Sequence, residues 1–220
     1  MHSLYERFYK GQLDFFDVCN EYEDKYNLNI TLKFPKNAYA DLNKKYYQSG
    51  LNALETFDDI PENYEVLDIE CKIDTLINDI RFIGYADLII RNKDTQDIII
   101  VDHKSKAKFS SKAEQKKYAR QLYLYSIYVK EHFGKYPTYL VFNMFRVGQI
   151  VKIDFKKSDL EEAISWFTNT VSEIYFDLEF IDKHEIVGKD LLTFAKQDFF
   201  CNELCGVRKY CPRSNLFKDI

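Results

Sequence analysis

The sequence predicts an α/β domain with a central mixed β-sheet flanked by helices, and three observations predict it. Helical periodicity fills about the first sixty residues. Strand-like runs follow between 64 and 104, and a helix then separates these from two more strands and a last helix. The run Asp97–Lys104 is apolar on both of its alternating faces, as a buried central strand is. Finally, 220 residues with 46% hydrophobic and 30% charged content suit a single globular domain with a substantial core. Alternation alone also allows other α/β folds.

In the helical N-terminal part (about 1–60), His2–Lys10 carries Leu4, Tyr5 and Phe8 as a short apolar stripe. Amphipathic stretches follow at about Leu13–Tyr26 and Tyr39–Phe57, until Pro61 and Asn63 break the pattern. Tyr64–Asp74 and Asn78–Ile90 read as strands joined by Thr75-Leu76-Ile77. The polar Arg91–Gln96 segment turns the chain into the Asp97–Lys104 strand. Ser110-Ser111-Lys112-Ala113-Glu114 supplies an N-cap with an acidic residue in the first turn, and that helix runs to about His132, before Gly134 and Pro137. Tyr139–Arg146 and Gln149–Phe155 form a hairpin across Val147-Gly148. Ser158-Asp159-Leu160-Glu161 opens a last helix with the stripe Leu160, Ile164, Phe167, Val171 and Ile174. The Cys-containing segment at about 195–220 is irregular, and the chain holds no internal repeat.

Two aspartates fifteen positions apart carry the chemistry. Asp87 stands in Gly84-Tyr85-Ala86-Asp87-Leu88-Ile89-Ile90, and Asp102 in Val101-Asp102-His103-Lys104. Each ends an apolar, β-branched run, and the two runs read as adjacent strands. Alternation puts Asp102 and Lys104 on one face and His103 on the other. A carboxylate and an ammonium at the end of a buried strand are costly unless compensated. A divalent metal held by Asp87 and Asp102, with Lys104 beside a substrate phosphate, supplies that compensation. This is the arrangement of a metal-dependent phosphodiesterase.

An ordered set of segments resembles the PD-(D/E)xK nucleases, and among them the RecB-like exonuclease branch of phage and CRISPR-adaptation nucleases. The set comprises His2, Glu70, Gly84-Tyr85-Ala86-Asp87, Val101-Asp102-His103-Lys104, and Gln121 with Tyr125. The resemblance implies a restriction-endonuclease-like core. It makes Asp87, Asp102 and Lys104 catalytic, and His2, Asp87, Asp102 and the main-chain carbonyl of His103 ligands for Mg²⁺ or Mn²⁺. In that family considerable sequence precedes the His helix, where this chain has Met1 alone. Glu70 takes the first-strand acidic position. Its segment Val66-Leu67-Asp68-Ile69-Glu70 puts Asp68 and Glu70 on one face by alternation, and a solvent-facing pair is the alternative reading. Gln121 and Tyr125, four apart on a helix, share a face, and in the family this pair borders the active site and contacts DNA. Lys106 joins them as a DNA-binding residue.

Three cysteines crowd the C-terminal segment in the spacing Cys201-x3-Cys205-x5-Cys211-Pro212. Without a secretory signal this suggests metal rather than disulfides. The resemblance implies a [4Fe–4S] cluster, with Cys19 as the fourth thiolate because Cys71 lies within the sheet. Zinc and plain thiols are the alternatives. The first gap departs from the usual two residues. The formal net charge of −4 does not advertise nucleic-acid binding, but Lys104, Lys106, Lys108, Lys112, Lys116, Lys117 and Arg120 cluster after the D-x-K strand. No apolar stretch reaches membrane-spanning length and the N-terminus is no signal peptide, so a cytoplasmic protein without a membrane partner is expected. The leading expectation is a metal-dependent DNA exonuclease acting on ends or single strands in recombination, repair or adaptation. Its partners would be a helicase, a recombinase or another nuclease-complex subunit. A DNA-end or single-strand binding module that cuts poorly is the alternative. A sequence-specific endonuclease would need a recognition insertion, which the sequence lacks.

Overall fold

Five strands hydrogen-bond in chain order in the computed structural model, which describes residues 1–31, 41–57 and 59–185. They are β1 (Tyr64–Ile77), β2 (Ile80–Asn92), β3 (Ile98–His103), β4 (Tyr139–Met144) and β5 (Gln149–Asp154). The pairs β1–β2, β2–β3 and β4–β5 are antiparallel and β3–β4 is parallel, so the sheet is mixed. A parallel pair needs a long crossover, and α4 (Lys112–Phe133) provides it. At the centre lies β3, with all six residues buried, as its two apolar faces require.

Helices α1 (His2–Tyr9), α2 (Phe15–Asn29) and α3 (Leu42–Glu55) precede the sheet, and α5 (Lys157–Lys183) follows it. The chain divides into two compact units, Met1–Trp166 and Phe167–Ile220. In the first unit, Leu4, Tyr5, Val18, Tyr22, Ala53, Leu54 and Phe145 form a helical core. Tyr9 of α1 extends it to a second cluster on the sheet, Leu88, Ile90, Ile99, Val101 and Val141. Helix α4 covers another part of the sheet, with Leu122, Leu124 and Val129 buried. Its ends obey local rules. The Ser111 hydroxyl accepts from the Glu114 N–H, and Gly134 stops the helix in the left-handed conformation (φ +79°). In the second unit only Phe167–Glu185 are described, helical as far as Lys183, with Ile174 exposed rather than buried in the expected stripe.

Four local expectations are corrected. Thr75-Leu76-Ile77 belong to β1, and the turn is Asn78-Asp79, both at positive φ (50° and 62°). That is the hairpin turn whose twist matches its strands, and Asn and Asp tolerate it best after glycine. Strand β4 stops at Met144, and Phe145–Val147 form one 3₁₀ turn closed by Gly148 at φ +61°. Asp87 does not end an apolar run but sits within β2, which begins at Ile80. Asp68 and Glu70 do not share a face, for the reason given below. Cys201, Cys205 and Cys211 lie outside the described residues.

Candidate active site

The β2–β3 hairpin aligns the two aspartates. Leu88 pairs with Val101, so the next register step sets Asp87 against Asp102. The His103 N–H donates to Asp87 Oδ2 at 2.6 Å, which fixes that carboxylate across the strands. At Asp102 the carboxylate meets Lys104, whose Nζ lies 2.7 Å from Oδ2 and donates to Oδ1 at 3.0 Å. The Lys104 N–H in turn donates to the Asn143 carbonyl at 2.8 Å, prolonging the β3–β4 pairing beyond His103. The D-x-K side chains are thus held by backbone ladders on both sides.

Glu70 reaches the site through a left-handed residue conformation within β1. Its φ is +50°, a conformation that costs a non-glycine residue about 1–2 kcal/mol. The register also shifts between Val66 and Asp68. Strict alternation therefore fails. Asp68 faces Cys71, which is joined to Tyr128 of α4, whereas Glu70 lies among His2 and Glu6 of α1, Lys10 just after it, and Asp87. One ligand atom each from His2, Glu70 and Asp87 comes within 4.8 Å of the others. His2 Nδ1 stands 3.5 Å from Asp87 Oδ1. Asp102 is outside this group, its carboxylate engaged by Lys104. At His103 the carbonyl was the expected ligand, and the N–H is the main-chain group observed against Asp87.

Charge in this corner is compressed. Burial pushes the Glu70 carboxyl above its ordinary range, and the charges of Asp87 and Glu6 add to the rise. Burial likewise raises Asp102, helped by Asp87 and opposed by Lys104. Asp87 is also pushed up by burial, but the hydrogen bonds of His2 and the His103 N–H outweigh this and leave it lowered. His2 is raised by its hydrogen bond to Asp87, against the effect of burial. Hard carboxylate oxygens plus one imidazole are a donor set that suits Mg²⁺ or Mn²⁺. A cation there would offset the repulsion that raises Glu70.

The His103 side chain, which sequence reasoning left without a role, anchors α1. Its ring stacks on Tyr5 (4.9 Å between centroids) and Tyr9 (6.1 Å), and Tyr5 also packs on Phe57 and Phe145. Burial drives its pKa down to about 4, so the ring is neutral near pH 7. Asn143 Nδ2 lies 3.1 Å from Nδ1. As donor to Nδ1, it assigns the ring proton to Nε2. This stack sets the helix that bears His2 against the sheet. The sequence signal was present: a histidine on the strand face opposite Asp102, and a first helix carrying Tyr5, Phe8 and Tyr9.

Gln121 and Tyr125 share a face of α4 as expected, and Gln121 Nε2 donates to the Tyr125 hydroxyl. Tyr125 is buried and feels the charges of both Asp102 and Asp87. Its ring lies against Gly84, where an added Cβ would fall 2.5 Å from Cε1. Glycine at 84 is thus required by close approach, a need the sequence did not reveal. Lys106 is ion-paired with Glu114 at 2.6 Å, and Lys116 and Arg120 with Glu162, so the basic strip is partly neutralised within the protein. Cys19 packs against the helical core, where burial, then Glu55 and Glu23, push its thiol up. That environment disfavours a thiolate ligand.

A family model for the PD-(D/E)XK nuclease superfamily matches residues 1–212. No curated protein matches the chain.

Proposed function

From the premise that this chain belongs to the PD-(D/E)XK nuclease superfamily, we propose that it is a Mg²⁺- or Mn²⁺-dependent DNA exonuclease of the RecB-like type. It would work in the cytoplasm in recombination, repair or adaptation, beside a helicase, recombinase or other nuclease subunit. One observation carries the reading: His2 and Glu70 converge on Asp87, while Asp102 and Lys104 lie one strand away. Among the described residues, no helix is long and apolar enough to cross a membrane.

The residues divide the work by position. His2, Glu70 and Asp87 would hold the cation, and the His103 N–H keeps Asp87 from turning away. A bound divalent cation supplies polarisation of the scissile phosphate and lowers the pKa of water. Asp102 keeps the Lys104 ammonium at the metal side of the sheet edge, where a compact cation can stabilise charge building on phosphorus oxygens. Tyr118 backs Lys104, its ring centroid 5.6 Å from Nζ. Gln121 holds the Tyr125 hydroxyl, and both offer hydrogen bonds to the strand being cut. Hydrolysis adds water across the P–O bond, with the proton passing to the leaving oxygen.

An iron–sulfur cluster forms no step of this proposal. Cys19 fits poorly as a thiolate, and the other three cysteines lie outside the described residues.

Incubation with 5′- and 3′-labelled single and double strands, with Mn²⁺, Mg²⁺ or EDTA, tests the proposal. Shortening from an end that needs the cation is the expected result. Internal cuts would replace exonuclease by endonuclease, and binding without cleavage would leave a DNA-end binding module.

A further inference from the structure

Beside the catalytic edge, α4 and the tip of the β1–β2 hairpin enclose a cleft of about 840 Å³. Its walls include Phe82 and Ile83 from the hairpin, Tyr118 and Leu124 from α4, and Trp166 from α5. This is the volume of a small-ligand site, and Ile83 (50%) and Trp166 (40%) expose large apolar surface to it. The cleft is tied to the chemistry at two points. Gln121 and Tyr125 line it, and Tyr125 feels the charges of Asp87 and Asp102, while the Tyr118 ring lies 5.6 Å from Lys104 Nζ and 5.5 Å from Lys106 Nζ.

We propose that this cleft receives the unpaired bases of a single DNA strand whose phosphodiester lies at Asp102 and Lys104; the proposal rests on the nuclease reading above. Flat rings and apolar side chains bind the faces of bases, and only an unpaired strand exposes those faces, because a duplex keeps them stacked inside. The charges suit a polyanion. Lys117 lines the cleft and makes no ion pair among the described residues, and Lys104 stands at its catalytic end. Glu114 is the one acidic lining residue; Lys106 pairs with it, and both donors of Ser110 hydrogen-bond to it. Arg120 lies 5.2 Å from the ring of Trp166, a residue that lines the cleft.

The chain contains a single tryptophan, so its intrinsic fluorescence reports this cleft directly. Full-length protein in EDTA, where cleavage is silent, is titrated with oligothymidylate, with the same length of blunt duplex, and with oligouridylate. The expected result is saturable quenching by the DNA single strand and at least tenfold weaker binding of the duplex. Tyr118→Ala should weaken single-strand binding about tenfold, the usual loss of one base–aromatic stack. Ile83→Asp alters an exposed position, preserves the fold and should weaken it similarly. Equal quenching by duplex, tighter binding of oligouridylate, or unchanged affinity in both variants overturns the proposal. The nuclease reading fails separately, if the protein binds single strands in EDTA yet cuts no DNA with Mn²⁺.

Discussion

Two carboxylates at the catalytic edge, Glu70 and Asp102, and two on the surface, Asp74 and Glu114, depart from their ordinary range in opposite directions. Glu70 and Asp102 are raised, chiefly by burial and then in part by the charge of Asp87. Asp74, clamped by Nε and Nη2 of Arg81, is lowered to about 2. Glu114 is also lowered to about 2, by Lys106 and then by the Ser110 N–H and hydroxyl. Surface pairs are placed where ionisation favours folding. The catalytic edge gathers charges that oppose one another and relies on the hairpin ladder, the left-handed turn at Glu70 and the His103 stack to keep them together. Conflict of this kind marks functional sites, where geometry is kept at the expense of stability.

The largest expected effect lies at the D-x-K pair. Asp102→Ala and Lys104→Ala should each lower Mg²⁺- or Mn²⁺-dependent DNA cleavage at least a hundredfold, if each side chain supplies ~3 kcal/mol of transition-state stabilisation. Rates are to be measured on variants whose circular dichroism matches the parent. Parent-like cleavage by Asp102→Ala would break the comparison, because the compressed charge would then have no role in the reaction.

Next in size is Gly84→Ala. The new methyl meets the Tyr125 ring at 2.5 Å, so the ring or β2 must shift. Overpacking of this kind costs roughly 1–3 kcal/mol, and it moves the hydroxyl that Gln121 holds. The expected outcome is a lower denaturation midpoint and slower cleavage. Trimming the ring in Gly84→Ala/Tyr125→Leu should restore the midpoint but not the rate. A midpoint unchanged in Gly84→Ala would show that the two elements do not meet as closely as described.

These residues also measure how much was legible beforehand. The mixed sheet, its buried central strand and the crossover helix follow from apolar periodicity, which is local and strong in Asp97–Lys104 and in Lys112–Phe133. The proximity of Asp87 and Asp102 follows from hairpin pairing. What the sequence hid is non-local or depends on one unusual torsion. Glu70 turns toward His2 because φ is positive there, and nothing in Asp68-Ile69-Glu70-Cys71 announces it. Gly84 is explained by a ring from α4, forty-one positions on. The Asn78-Asp79 turn was readable from its residue types, but the strand-like Thr75-Leu76-Ile77 concealed it.

A smaller effect sharpens the comparison inside the site. Glu70→Gln keeps the shape and removes a charge that its neighbours oppose. Metal-free protein should therefore melt slightly higher, by about 1 °C for a few tenths of a kcal/mol. Addition of Mn²⁺ should raise the melting temperature less than in the parent, since a ligand that binds only the folded state stabilises by mass action. A lower metal-free melting temperature would mean that Glu70 is held by partners that offset its burial.

The smallest effect concerns acid, and its sign separates the two regions. Glu114 has a folded pKa of about 2 against an ordinary 4.5, so its contribution is complete above 4.5 and is lost as pH falls toward 2. Glu70 is raised, so its ionisation opposes folding: stability falls as pH climbs through 4.5 to the raised value, and is level above it. Glu114→Gln should therefore flatten the decline of melting temperature between pH 5 and pH 3, roughly the window its depressed pKa defines. Glu70→Gln should act above that window: it removes the gain in stability that Glu70 protonation brings as pH falls through the raised value to 4.5. Solvent screens the exposed Lys106–Glu114 pair, so its change will be modest and will shrink further in high salt. Parallel pH profiles for the two variants would erase the distinction between a charge placed for stability and a charge placed for chemistry.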